Sequence, residues 1–304
     1  MAKILITGGA GFIGSHLAEF LCKDHEVTIL DNLDTGYLKN IKDLDVKFIH
    51  GDIRNSNLVD QLIEGKDYVF HLASVTSVPE SIKDPDKTFS VCLNGSLNVL
   101  KSCVTHKVKK IVFSSSAAIY GDDPELPKHE GMLPEPISPY GVAKVAVEHL
   151  LKTYHQVYDL SYANLRYFNV FGPKQDPKSA YSGVISIFFD KALNDEPISI
   201  NGDGAITRDF IYVSDVVKAN WMAALSEKTG TFNVGTGKRV SILDMAKRII
   251  EITSSDSQIT FGPPREGDIL HSVCSIAKIQ EHLNWAPEIE FKEGLKSTID
   301  FFKL

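Results

Sequence analysis

Over the first 170 residues, short apolar runs alternate with stretches of helical periodicity. Lys3–Thr7 reads as a compact strand, and Glu26–Leu30 as a second. Between them Phe12–Lys23 carries apolar residues at 12, 13, 17, 20 and 21, one stripe of a helix. Further strands are expected at Val46–Ile49, Tyr68–Leu72, Lys110–Ser114 and Ala163–Phe168, with helices at Lys87–Cys103 and Pro139–Tyr158. Strand and helix in alternation imply parallel βαβ units. An α/β fold with a Rossmann-type doubly wound parallel sheet is the usual solution, and the right-handed crossover rule then leaves few topologies.

Beyond residue 170 the pattern loosens, and prolines and glycines cluster at 172–183, 194–204 and 262–267. Helical stripes continue at Ser182–Leu193, Asp215–Leu225, Ile242–Ile252, Ile276–Leu283 and Glu293–Phe302. Phe210–Val213 and Thr231–Val234 look like strands able to rejoin the main sheet. The expectation is a sheet domain of residues 1–168 plus about 209–240 and a smaller C-terminal α/β domain of about 169–208 plus 241–304.

The 304 residues are enough for cores of this size, and 43% hydrophobic with 23% charged residues is ordinary for a water-soluble chain. The net charge of -7, with no basic run, argues against bulk nucleic-acid binding. No apolar stretch reaches the 18 residues of a membrane span, and the N-terminal run passes into glycines too soon for a signal peptide. Cys22, Cys92, Cys103 and Cys274 are scattered, without a C-x-x-C. Neither they nor the ten histidines suggest a metal site, and a reducing cytoplasm fits.

Gly8, Gly11 and Gly14 form G-x-x-G-x-x-G between the first strand and the first helix. Glycine there permits a tight turn and lets backbone approach a pyrophosphate at the helix N-terminus. Asp31 ends the second strand, 17 residues past Gly14, where a carboxylate can take both ribose hydroxyls and repel a 2′-phosphate, favouring NAD over NADP. The same residue also fits an ordinary turn before Asn32. Asp52 and Ile53 close another strand, where a carboxylate meets an adenine amino group or simply makes a turn.

Tyr140 and Lys144 stand four apart behind Ser138 and Pro139, a favoured N-cap and first helical residue, and so share a helix face. A phenol ionises near pH 10, so a tyrosine base at neutral pH needs roughly 4 kcal/mol of help, which a neighbouring ammonium can supply. The spacing alone also occurs on surface helices without function. Ser114, Ser115 and Ser116 follow a buried run, at the strand end where ligands of α/β sheets collect; a serine-rich turn would look the same.

Taken together, Thr7–Gly14 (TGGAGFIG), His71-Leu72-Ala73, Ser114–Gly121 (SSSAAIYG), Tyr140–Lys144 and Leu165–Gly172 (LRYFNVFG) resemble the extended short-chain dehydrogenase/reductase family, within it the nucleotide-sugar epimerases. The resemblance spans nearly the whole chain, with the motifs in order. It implies a UDP-hexose 4-epimerase with bound NAD and a 4-keto intermediate, and a homodimer built on the Lys87–Cys103 and Tyr140–Tyr158 helices. In that frame Tyr140 is the acid/base, Lys144 its electrostatic partner on the nicotinamide ribose, and Ser116 an aid at the sugar hydroxyl. Gly8, Gly11, Phe12, Ile13, Gly14, Asp31, Asn32, Asp52, Ile53, Leu72, Ala73 and Ser114 would complete the cofactor site. Arg208 and Arg265 would clamp the diphosphate, Asn169 would donate to it, and Asp268 would take the nucleotide ribose.

Ser272, four residues after Asp268, falls where the family's pocket for the sugar C2 substituent is gated. A tyrosine there restricts relatives to plain hexoses; a serine implies room for an acetamido group, and the run Ser77–Ile82 resembles members acting on N-acetylated or uronic sugars. Two departures stand out. Cys92 replaces the usual asparagine of an N-x-x-G-T motif, putting one contact near the nicotinamide in doubt. Ala117 and Ala118 follow Ser116, where dehydratases and decarboxylases of the family carry an acid, which argues for epimerisation without elimination. The rival readings are a UDP-glucuronate epimerase or another epimerase or reductase on this scaffold, and a non-catalytic NAD-binding sensor.

Overall fold

In the computed structural model, residues 1–176, 183–264 and 269–303 are described. The strands, in chain order, are β1 Lys3–Thr7, β2 Glu26–Asp31, β3 Lys47–His50, β4 Tyr68–His71, β5 Lys110–Ser116, β6 Tyr162–Tyr167, β7 Asn169–Phe171, β8 Ile198–Asn201, β9 Thr207–Arg208, β10 Phe210–Tyr212, β11 Gly230–Val234, β12 Val240–Ser241 and β13 Ile259–Gly262. The helices are α1 Phe12–Leu21, α2 Ser56–Ile63, α3 Val78–Lys83, α4 Pro85–Phe89, α5 Ser96–Thr105, α6 Pro139–Tyr158, α7 Val184–Leu193, α8 Val213–Leu225, α9 Ile242–Thr253, α10 Ala277–Leu283 and α11 Phe291–Phe302.

Among the described residues, seven strands form one parallel sheet in the order β11-β6-β5-β4-β1-β2-β3. Alternation along each strand divides its side chains between two cores. Ile4, Ile6, Ile29, Phe70 and Phe232 join Leu17, Leu21 and Val216 from α1 and α8 on one face. Leu5, Leu30, Val69, Ile111 and Phe113 join Val59, Val99, Val147 and Leu151 from α2, α5 and α6 on the other. Covering both faces is what makes the strands read as continuous apolar runs. Each fully buried aliphatic side chain contributes about 1.5–3 kcal/mol. The strand order reverses between β1 and β4, so the crevice at their carboxyl ends is a topological switch point.

A third core, with Phe171, Phe188, Phe189, Ile198, Ile200, Phe210, Met245, Ile249 and Leu295, binds α7, α9 and α11 to the short strands of the second half. β11 rejoins the main sheet beside β6. The Phe210–Val213 segment does not: β10 pairs instead with β7, outside the sheet. Both flank the crossing between halves, and Phe171 and Phe210 pack against each other in the third core. The expected Lys87–Cys103 helix is interrupted: α4 and α5 are joined by a π-helical stretch, Ser90–Gly95. No helix of the described residues is long and apolar enough to cross a membrane.

Candidate active site

The switch-point crevice is shaped by the turn from β1 into α1. Gly8 has φ of 74°, the left-handed region, and a Cβ on it would lie 2.7 Å from the Ala73 nitrogen. A Cβ on Gly14 would lie 2.2 Å from the Gly8 carbonyl oxygen. Gly11, Phe12 and Ile13 complete the turn and line the cleft with them. Gly11 is the N-cap of α1, with no side-chain cap and no acidic residue in the first turn. The first N–H groups of the helix and its positive dipole end are therefore available to an anion. The cleft encloses ≈ 550 Å³.

At one end of it Asp31 is buried, with Oδ2 accepting the Ala10 N–H at 2.9 Å and Oδ1 the Leu33 N–H at 2.8 Å. Burial pushes its carboxyl above the usual range. Each oxygen keeps a lone pair for a ribose hydroxyl. Asp52 is engaged otherwise: Arg54 Nε and Nη2 donate to it at 2.9 and 2.7 Å, and the Asn32 amide at 3.1 Å. Those bonds, led by Arg54, hold its carboxyl down at about 2. Asp52 and Ile53 line the cleft, so an adenine there meets a carboxylate already saturated by a guanidinium. A Cβ on Gly95, in the π-helical stretch, would lie 2.5 Å from Ile53 Cδ1, so that glycine admits Ile53.

Leu72 and Ala73 follow β4, donating to the Thr7 carbonyl and to Thr7 Oγ1. The three serines are the end of β5 itself rather than a turn after it. Helix α6 starts with Ser138 capping the Gly141 N–H and lays one face on β5. Tyr140 is half-buried and hydrogen-bonded to Ser116, whose Oγ also accepts the Ala118 N–H at 3.1 Å. Lys144 is buried; its Nζ donates to the Ser114 carbonyl at 2.6 Å and lies 5.6 Å from the centre of the Tyr140 ring. Burial leads in pushing the phenol up to about 12, against the Ser116 hydrogen bond, and the ammonium down to about 8, against the nearby Cys92 and Glu148. Cys92, at the expected asparagine position, accepts the Val75 N–H on its sulfur at 3.4 Å and contacts Ser74 Oγ at 3.2 Å.

Thus Tyr140, Lys144, Ser116, Ser114, the glycine turn, Asp31, Asn32, Asp52, Ile53, Leu72 and Ala73 share one cleft. Asn169, Arg208 and Ser272 do not line it. Asn169, on β7, donates its amide to the Asp209 carbonyl at 3.1 Å. Arg208 Nη1 donates to the Thr207 carbonyl, which also accepts the Ser272 N–H, so these two sit together beside β9. Arg265 and Asp268 lie outside the described residues.

Several cleft residues carried no signal in the sequence. Tyr37 donates to Asp176 at 2.6 Å, and Lys87 bridges Asp34 at 2.9 Å and Glu80 at 2.8 Å, pairs 139, 53 and seven residues apart along the chain. His71, read as part of a motif, is a buried strut: its two ring nitrogens engage Thr7 Oγ1 at 2.7 Å and Ser96 Oγ at 2.8 Å. Burial and the nearby Lys144 hold it down to about 3, so it is neutral.

The profile of the NAD dependent epimerase/dehydratase family matches residues 4–235. The chain belongs to this family. It is 36% identical to the UDP-glucose 4-epimerase of Mycolicibacterium smegmatis, over 99% of this chain and 98% of that one. Its fold matches a UDP-N-acetylglucosamine 4-epimerase from Methanobrevibacter ruminantium M1, solved with UDP-N-acetylmuramic acid, at a TM-score of 0.97 and 38% identity, covering 99% and 98% of the two chains. It matches the Thermus thermophilus UDP-glucose 4-epimerase complex with NAD at a TM-score of 0.92 and 39% identity, covering 99% of both.

The cofactor of this epimerase/dehydratase is NAD, and the cleft fits it: an uncapped helix N-terminus in a cradle that any Cβ at Gly14 would fill, and a buried carboxylate, Asp31, of the kind that suits a ribose. Acid-denatured protein should therefore release NAD and no NADP. Gly14→Ala should retain less than about a tenth of the wild-type NAD while keeping its far-ultraviolet circular dichroism, because the clash falls on backbone that shapes the anion site. Full NAD content in that variant contradicts the assignment of the turn.

Proposed function

We propose that this protein is a UDP-hexose 4-epimerase that interconverts UDP-glucose and UDP-galactose through a 4-keto intermediate. The observation that carries the reading is the Tyr140–Lys144–Ser116 set at the mouth of the dinucleotide crevice, with Ala117 and Ala118 in place of any further acid. Tyr140 takes the proton of the sugar's C4 hydroxyl at its phenol oxygen and later returns one. Ser116 bonds the phenol and steadies the same hydroxyl. The Lys144 ammonium favours the phenolate and holds the nicotinamide ribose. When bound, NAD supplies a hydride acceptor at C4 that gives the hydride back. With no acid beside Ser116 to protonate a leaving group, the keto sugar has no route to elimination and is reduced again on its other face. On this reading Tyr140→Phe loses at least about a thousandfold in kcat, in the range expected for a general acid/base, and keeps its NAD. A tenth of wild-type turnover in that variant would remove Tyr140 from the role.

The substrate's nucleotide end falls to the second half, about 169–208 plus 241–304. Arg208 and Arg265 suit a diphosphate, Asn169 donates to it, and Asp268 takes a ribose. Ser272 is half-buried, tied through its N–H to the Thr207 carbonyl that Arg208 also meets, and its small side chain suits a site with room for a C2 substituent. We extend the substrate range to UDP-GlcNAc and UDP-GalNAc on that ground. Overfilling a packed site costs about 1–3 kcal/mol, or roughly 5- to 150-fold. Ser272→Tyr should therefore lose the acetamido sugars by that factor while UDP-galactose turnover holds. Equal losses on both, or a wild type that ignores the acetamido sugars, would remove Ser272 as the gate.

The working form we propose is a cytoplasmic homodimer. Support comes from the apolar outer face of α6, where Val142 and Val157 are exposed and Val145 and Leu150 half-buried, together with half-buried Leu93 of the π-helical stretch and Leu97 of α5. The free cysteines suit a reducing compartment. Sedimentation at micromolar concentration should give twice the chain mass, and Val142→Glu combined with Leu150→Glu should give the monomer. A monomeric wild type would end the proposal.

A further inference from the structure

Helix α6 carries a third side chain on the face that holds Tyr140 and Lys144. Tyr140, Lys144 and Glu148 are spaced four apart, and each meets one of three successive serines of β5. Tyr140 bonds Ser116, Lys144 donates to the Ser114 carbonyl, and Glu148 Oε1 accepts the Ser115 hydroxyl. Glu148 is also clasped by Arg166 of β6, which stands opposite Ser115 in the sheet register. Nε reaches Oε1 at 2.9 Å and Nη2 reaches Oε2 at 2.7 Å, with the two side chains 7% and 5% exposed. The remaining guanidinium nitrogen, Nη1, donates to Tyr120 Oη at 2.9 Å, and Tyr120 donates to Asn233 Oδ1 at 2.7 Å. One carboxylate thereby ties α6 to two strands of the sheet.

A buried ion pair is a poor source of stability, because desolvation offsets most of its attraction. This one lies one helical turn behind a buried cation. The groups facing Lys144 are Tyr140 and Glu148 on α6, the Cys92 thiol from the π-helical stretch, and His71, neutral, from β4. Arg166 lies beyond Glu148. Burial works against the ammonium, while Cys92 and Glu148 oppose that effect.

We propose that Glu148, clasped by Arg166, is a positioning residue that fixes Tyr140 and Lys144 on β5 and keeps the Lys144 ammonium charged across neutral pH. The inference rests on the epimerase reading above. Glu148→Gln keeps the shape, removes the negative charge and leaves Arg166 without its counter-charge, so Lys144 loses its proton at lower pH. A neutral Lys144 no longer favours the phenolate of Tyr140. Arg166→Gln leaves Glu148 facing Lys144 alone and acts in the opposite direction. Glu148→Asp keeps the charge and moves only the geometry.

The test is the pH profile of kcat with UDP-glucose on the NAD-loaded protein, together with the tyrosinate absorbance of Tyr140, read as the difference from the matching Tyr140→Phe variant. In Glu148→Gln the alkaline limb should move to lower pH by about one unit, so the loss relative to wild type is roughly tenfold greater on the alkaline side than on the acid side. Its Tyr140 ionisation should move up only where Lys144 has lost its proton, so the acid limb stays in place, with KM and bound NAD per subunit near wild type. Arg166→Gln should move the limb up, and Glu148→Asp should lower kcat without moving it. A uniform loss at every pH in Glu148→Gln, or shifts of the same sign in Glu148→Gln and Arg166→Gln, would overturn the proposal. If Glu148→Gln does not fold, the opposite behaviour of Arg166→Gln and Glu148→Asp decides it. If the wild type turns over no UDP-sugar, the epimerase reading fails instead, and the Tyr140 titration alone decides the role of Glu148.

Discussion

A buried ammonium is the constraint around which this molecule is organised. Lys144 is almost sealed from water, and its nearest partner is a neutral carbonyl, that of Ser114. Desolvating a charge without full pairing is costly, and the cost appears as a lysine pulled down to about 8. The phenol of Tyr140 suffers the complementary effect, because there burial penalises the anion and drives it up to about 12. On the epimerase reading the pair draws on two further charges: the nicotinamide of bound NAD, and the Glu148 carboxylate one turn further along α6. The low dielectric that disfavours both ions also makes each of those charges count for more.

Placing such a pair requires a sheet that does not move. β5 sits in the middle of the main sheet, between β4 and β6 in parallel register, and its serines run past the end of β4 while staying paired with Leu165–Tyr167 of β6. Both faces of that sheet are covered by helices, and its strands alternate strictly between two cores. A one-residue slip would exchange those cores wholesale, so the register is strongly specified. The glycine turn uses the same rigidity in another way. Gly14 touches backbone, not side chains, so the space for a pyrophosphate is fixed by chain geometry.

Much of this was legible in the sequence where a single element carries its own information. β1 and α6 match their expected limits residue for residue, because an uninterrupted apolar run and a Ser-Pro start followed by helical periodicity define them locally. That the residues from Gly8 to Ala73 share a cleft was legible because motif and position at a strand end coincide. Pairing partners were not. β10 is an apolar triplet, and nothing within three residues says whether it joins the main sheet or β7. The π-helical stretch at Ser90–Gly95 was hidden because apolar spacing at 89, 93, 97 and 100 continues through it. The helix there was read through to Cys103 as if regular, yet Cys92 lies inside the π-helical stretch, with its sulfur on the Ser74 hydroxyl and the Val75 N–H.

The same distinction separates Tyr140 and Lys144 from Glu148. In sequence, a glutamate four residues after a lysine on a helix is the commonest sort of surface pair and worth a few tenths of a kcal/mol. Nothing local says that this one is buried. Its meaning comes from Arg166 in the next strand and from Ser115, 33 residues earlier, both placed by sheet register. Asp209 is a parallel case in the other half. Next to Arg208 it reads as one half of a charged dipeptide, yet it is completely buried and takes the Thr236 and Gly237 N–H groups, the Thr236 hydroxyl and the Cys274 N–H. It fastens the segment after β11 and the segment after Ser272 to one carboxylate. In both places a segment hangs on one buried acid satisfied by groups distant in sequence. Such an acid is silent in a reading of motifs, because its partners are chosen by topology and not by spacing.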